Sequence, residues 1–257
     1  MFDFTHQAYI DLCARLTKSS YNFYSVAEFL STFSNTPIYD KKIVIIRHDI
    51  DRWVNNAERM AHLEKKMGIK SSYYFRYPST FSPLVMKLLY SYGHEIGYHY
   101  EVLCKTKGDI SSAWVLFQKE LSIFREIIPI RTVSMHGSPL SPYDNRLLWN
   151  YYSLSDLGII GEAYDIPANF LYFTDTGRAW NGKNNLRDHM SGGIFYFRQI
   201  HTTQELIEFI YKEKPPFLYL NIHPERWNNS PVMYSVSLIM DNVFSAGKKI
   251  ITLYQDF

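Results

Sequence analysis

The stretch that most constrains this chain is Lys42-Ile43-Val44-Ile45-Ile46-Arg47-His48-Asp49-Ile50-Asp51. Its four consecutive β-branched apolar residues predict a strand buried on both faces, the kind found in parallel sheets covered by helices. The strand then ends in charge. Alternation along an extended chain puts Asp49 and Asp51 on one side of its carboxyl end, with Arg47 behind them in the same row. Two carboxylates this close need a cation, a shared proton or strong donors nearby. A metal or a shared proton is one reading. The other is that Asp51 caps the helix starting near Trp53 while Asp49 pairs with Arg47.

Apolar spacing predicts an N-terminal cover of two helices within residues 1–40, one over 6–18 and one over 25–33. After the charged strand, Asn55 to Met67 reads as a helix ended by Gly68, and Ser71 to Arg76 as the next strand. A helix from Ser82 to Tyr92 follows, closed by Gly93, and then a short strand, His94 to Glu101, that ends in polar groups. Strands alternating with helices imply parallel connections, with functional residues at the strands' carboxyl ends. Further on, a helix from Asp109 to Ile127 leads into Arg131 to Leu140, a strand that breaks into a Gly/Ser/Pro loop at His136. His136 is either a ligand or acid at a strand end, or a core histidine. Tyr143 to Trp149 reads as a helix, Gly158 to Asp165 as a strand with a polar end, and Phe217 to His223 as a buried strand ending in a histidine. An apolar-faced helix over 232–246 and a closing strand from Lys249 to Tyr254 complete one domain, residues 1–257, undivided by linker or repeat.

Hydrophobic residues at 46% and charged residues at 20% exclude a disordered chain. A net charge of +2 without a basic block argues against nucleic-acid binding. Cys13 and Cys104 match no metal spacing or disulfide framework, which points to a reducing compartment. The first residues lack the pattern of a signal peptide, and no apolar run reaches membrane-spanning length, so a cytoplasmic protein is expected. An aromatic share of 17% exceeds what a core requires and leaves rings to line a groove, where sugars are common occupants.

The run Arg47-His48-Asp49-Ile50-Asp51, a helix, an aromatic strand, a helix and Gly93-His94-Glu95-Ile96-Gly97-Tyr98-His99 resembles, in order and spacing, the NodB-homology polysaccharide deacetylases (carbohydrate esterase family 4). The similarity is greatest to branches with Asp-x-Asp in the first motif, among them formyl-sugar deformylases, peptidoglycan deacetylases and cytoplasmic relatives encoded with surface-polysaccharide biosynthesis. The resemblance implies an α/β fold, a distorted, incomplete (β/α) barrel. It also implies Asp49 as the catalytic base, and Asp51 and His99 as ligands of a divalent metal, usually zinc. The family's second ligand histidine falls four residues after the first, where this chain has Leu103. His136 or Glu101 is the expected substitute. His94 and Glu95 belong to the strand's entry and are read as structural. Leu171 to Trp180 resembles the family's fourth motif loosely. It implies Asp175 orienting a catalytic histidine, Arg178 pairing with the base carboxylate and Trp180 forming a groove wall, against a plain turn or partners at Arg187 and Asp188. Leu220 to His223 matches the fifth motif, whose histidine protonates the departing amine.

The expected activity is therefore metal-dependent hydrolysis of an N-acyl group, acetyl or formyl, on an amino sugar in cell-surface polysaccharide biosynthesis. Trp180, Trp227 and Tyr100 are the expected substrate-binding residues. Two rivals stand beside it: a carbohydrate-binding protein that has lost catalysis on the same fold, motivated by Leu103, and a hydrolase of a non-sugar C–N bond.

Overall fold

A computed structural model describes residues 3–33, 38, 41–138, 141–182, 194–195 and 200–242. In chain order the elements are α1 (His6–Lys18), β1 (Asn22–Tyr24), α2 (Val26–Phe33), β2 (Ile43–Ile50), α3 (Val54–Lys66), β3 (Ser72–Phe75), α4 (Pro83–Ser91), β4 (Glu95–Tyr100), α5 (Val102–Lys105) and α6 (Ile110–Arg125). They continue as β5 (Thr132–Met135), β6 (Gly161–Glu162), β7 (Leu171–Thr174), β8 (Ile194–Phe195), α7 (Thr203–Glu213) and β9 (Phe217–Ile222), followed by a helix over 231–242. The strands run in the order β6-β5-β4-β3-β2-β9-β7-β8, with β1 also paired to β2. Every pairing is parallel. The sheet curls with helices against it and leaves β6 and β8 unjoined among the described residues, which makes a distorted, incomplete (β/α) barrel.

All eight residues of β2 are buried, because β1 and β3 flank one edge, β9 the other, and helices cover the sheet. Alternation sorts its side chains. Val44 and Ile46 pack with Leu218, Leu220 and Ile222 of β9 against Leu12, Leu16, Met60, Leu206 and Ile210 from α1, α3 and α7. On the other face, Ile43 and Ile45 join Tyr219 in the larger core cluster, and Arg47 and Asp49 continue that row toward the strand's end.

Several details differ from the sequence reading. The N-terminal cover contains a strand, β1, because Asn22 to Tyr24 extend beside Ile43 to Ile45. Gly158 to Asp165 yields only the two-residue β6, and Tyr143 to Trp149 becomes a 3₁₀ helix over Asn145–Asn150. Asp51 does not cap α3; the cap position is Trp53, with no side-chain hydrogen bond. The expected closing strand, Lys249 to Tyr254, and the end of the last helix lie outside the described residues, as do Arg187 and Asp188. His94 and Glu95 are built into the frame: His94 Nε2 meets the Ala61 carbonyl at 3.1 Å, and Glu95 accepts the Ala27 backbone N–H at 2.9 Å.

Candidate active site

The carboxyl ends of β2, β4, β5 and β9 converge, as a parallel sheet requires, and each delivers a titratable side chain. Asp51 follows β2, His99 lies on β4 and His136 follows β5. Asp51 Oδ1 lies 3.5 Å from His99 Nε2 and 3.4 Å from His136 Nε2. The three ligand atoms sit within 4.8 Å of one another.

Each imidazole is oriented by a second contact. The Ser134 carbonyl, brought opposite His99 by the β4–β5 register, lies 3.0 Å from His99 Nδ1 and can only accept, so Nδ1 is the protonated nitrogen. Glu101 Oε2 lies 3.0 Å from His136 Nδ1, and the Arg76 Nη2 group binds both Glu101 oxygens at 2.9 Å. Glu101 thus stands behind His136. Both Nε2 atoms are left to face Asp51. Burial holds the His136 pKa below the ordinary histidine value and so favours the neutral, ligating form. Asp51 Oδ1 is buried without a hydrogen bond among the described residues, although it faces two imidazoles. One carboxylate and two imidazoles, each imidazole oriented by another group, are a donor set suited to a divalent ion such as zinc, and they fit one here. Leu103, at the position where the resemblance would place a second histidine, is buried on α5 in the apolar core and offers no ligand.

Asp49 stands beside this cluster, its Oδ2 3.9 Å from His99 Nε2. That oxygen accepts from Arg47 Nη2 at 2.8 Å and Asn221 Nδ2 at 3.2 Å, whereas Oδ1 is buried without a hydrogen-bond partner among the described residues. Arg47 is itself fully buried, its guanidinium 4.5 Å from the centre of the Tyr164 ring and hydrogen-bonded to the Tyr164 hydroxyl at 3.1 Å. The residue paired with Asp49 is therefore Arg47, two positions away on its own strand. Arg178, expected in that role, points elsewhere: Nε binds Asp241 at 3.0 Å and Nη2 binds Ser237 at 2.7 Å.

His223, immediately after β9, completes the ring of groups. Its Nδ1 lies 2.7 Å from Asp175 Oδ1, and its backbone N–H donates to Asp175 Oδ2 at 2.9 Å. Asp175 also accepts from Arg226 Nη1 at 2.6 Å and Trp227 Nε1 at 2.8 Å. Although burial opposes its charge, Arg226 and His223 hold the Asp175 carboxyl well below the usual range. Burial and Arg226 push the His223 imidazole down, but Asp175, with Asp51 beyond it, raises it above the ordinary value. Arg226 and Asn221 escaped sequence reasoning. The signal available for them was proximity to His223 within one strand and turn.

The three expected substrate-binding aromatics are not surface groups. Trp180 and Trp227 are 1% and 0% exposed, packed with Phe4 in the apolar core, and Trp227 presents its polar edge to Asp175. Tyr100 is fully buried, its hydroxyl bonded to Glu162 at 2.6 Å and to Trp149 Nε1 at 2.7 Å. Each ring has a buried polar partner for its N–H or O–H or a packed aromatic neighbour, and none is left to line a groove.

No protein-family model and no curated protein matches the sequence. Among solved structures, the chain is similar to the Streptococcus pyogenes deacetylase PplD in complex with acetate, at 14% identity over 55% of this chain, with a TM-score of 0.40. It is also similar to a CE4 family pseudoenzyme from Bacillus anthracis, at 14% identity over 85% of this chain, with a TM-score of 0.45. A mutant of that pseudoenzyme with restored enzymatic activity aligns at 12% identity over 84% of this chain and 68% of its own, with a TM-score of 0.42. The chain spans 66% of the length of each of the first two. No helix among the described residues is long and apolar enough to cross a membrane.

Proposed function

We propose that this protein is a metal-dependent hydrolase that removes an N-acyl group, acetyl or formyl, from an amino sugar. The reading extends to a single domain over 1–257, to zinc as the ion and to a surface-polysaccharide intermediate as the substrate. The observation that carries it is the convergence of Asp51, His99 and His136 between a buried carboxylate, Asp49, and an Asp175-backed histidine, His223. A divalent ion bound by the three would polarise the amide carbonyl and lower the pKa of a nearby water. Asp49 takes the proton from that water through Oδ1, the oxygen that Arg47 and Asn221 leave open. His223 carries the proton at the other end of the reaction. With Nδ1 engaged by Asp175, it donates from Nε2 to the departing nitrogen, which cannot leave as an anion. A raised pKa keeps that proton available near neutrality.

The test is metal content of the purified protein followed by assay on N-acetyl and N-formyl amino sugars. Near-stoichiometric metal lost together with deacylation in Asp51→Ala, His99→Ala and His136→Ala is the expected result. Full deacylation by the metal-free protein would overturn the mechanism.

A further inference from the structure

Four of the five tryptophans are occupied by the fold. Trp180 and Trp227 are in the core, Trp114 stacks on Tyr152 with centroids 4.3 Å apart, and Trp149 meets Tyr100 edge-on at 5.3 Å. Trp53 is different. It is half-buried, packs against neither apolar cluster, and among the described residues makes no contact with another aromatic ring. A cation neighbours the ring: the Arg52 guanidinium lies 5.5 Å from its centre.

The backbone at Trp53 is also unusual. With φ 46° and ψ 69° it lies in the left-handed region, where a bulky side chain is an outlier and short polar residues or glycine are the usual occupants. No side-chain cap bond is made at this turn. A conformation of this kind persists where the surroundings fix it, and it clusters at ligand sites. Trp53 stands two residues after Asp51. It is joined to the strand end by Arg52, whose Nη2 is fastened to Asp241 at 2.7 Å. Arg76 and Glu101, both partly exposed, supply donors and acceptors around His136.

We propose that Trp53 is the stacking platform of a sugar subsite at the mouth of this site, receiving the apolar C–H face of the pyranose ring that bears the acyl amide. The inference rests on the amino-sugar reading above. A pyranose offers one apolar face and a rim of hydroxyls, which matches an indole face beside a guanidinium and a carboxylate.

The experiment is calorimetric titration of the full chain with N-acetylglucosamine and chitotetraose, with thermal unfolding of every variant. Trp53→Ala is expected to weaken binding at least tenfold with metal content unchanged, and Trp53→Phe to stay within about threefold of wild type. Trp53→Gly, which frees the left-handed turn, is expected to lose binding while keeping or raising the melting temperature. Unchanged affinity in Trp53→Ala overturns the subsite and leaves the amino-sugar reading standing. A large drop in melting temperature for Trp53→Gly with no rescue by Trp53→Phe marks a structural tryptophan and overturns it too. Failure of wild type to bind either sugar overturns the amino-sugar reading together with the subsite.

Discussion

Asp175 holds His223 twice, through its ring nitrogen at 2.7 Å and its backbone N–H at 2.9 Å, so one carboxylate fixes both the imidazole's rotation and its tautomer. Asp175→Asn keeps the shape and removes the charge. Turnover is expected to fall by about a hundredfold or more, in the range that general acids contribute. The pH profile carries the sharper signature. A proton donor is active below its pKa, and Asp175 raises that of His223. The alkaline limb of kcat/KM should therefore move to lower pH in the variant. An unmoved limb would separate His223 from the rate.

His136 and Glu101 should differ in kind. His136→Ala removes one of three donor atoms and is expected to abolish metal retention. Glu101→Gln leaves the donors in place and weakens only the contact behind His136 Nδ1, which predicts a loss of metal affinity of about 10- to 100-fold. Competition with a chelator of known affinity reads both. Equal losses would make Glu101 a direct ligand.

How much of this was legible in the sequence depends on the range of the forces involved. The strand from Ile43, the flanking helices and the positions of Asp49, Asp51, His99 and His223 at strand ends follow from local apolar patterning, which both faces of β2 satisfy. Arg47 pairing with Asp49 was readable as a same-face neighbour two residues away. The role given to Arg178 failed because its partners, Asp241 and Ser237, lie about sixty residues ahead on a helix whose packing no local pattern specifies. The tryptophans failed for a related reason. An indole is large and apolar, so composition cannot distinguish one that is buried and donates to Asp175, as Trp227 does, from one left half-buried outside the apolar clusters, as Trp53 is.

Arg47 and Asp49 form a fully desolvated pair at 2.8 Å, and removing one partner leaves the other charge buried. Arg47→Met is expected to cost about 3–5 kcal/mol of stability. The double variant Arg47→Met/Asp49→Asn should cost clearly less than the sum of its parts, because no charge is then stranded. Urea unfolding of the four proteins closes the cycle, and additive losses would show that the pair is not coupled.

Glu225 supplies a test of opposite sign. Its carboxyl is fully buried, neither oxygen has a hydrogen bond among the described residues, and the nearest guanidinium nitrogen, from Arg52, is 3.6 Å away. Burial, with the Asp51 charge, pushes its pKa up to about 7. Below the ordinary value of about 4.5 the group is neutral in folded and unfolded chains alike and costs nothing. Between there and pH 7 the unfolded chain releases the proton while the folded one keeps it, so stability falls as pH rises. Above pH 7 the deficit is complete, on the order of 3 kcal/mol at ~1.4 kcal/mol per unit. Glu225→Gln cannot ionise and should escape this loss, being nearly as stable as wild type at pH 5 and more stable at pH 8.5. Urea unfolding at the two pH values decides it: a gap between the proteins that fails to widen with pH would mean that Glu225 is ionised and paired in the folded state throughout.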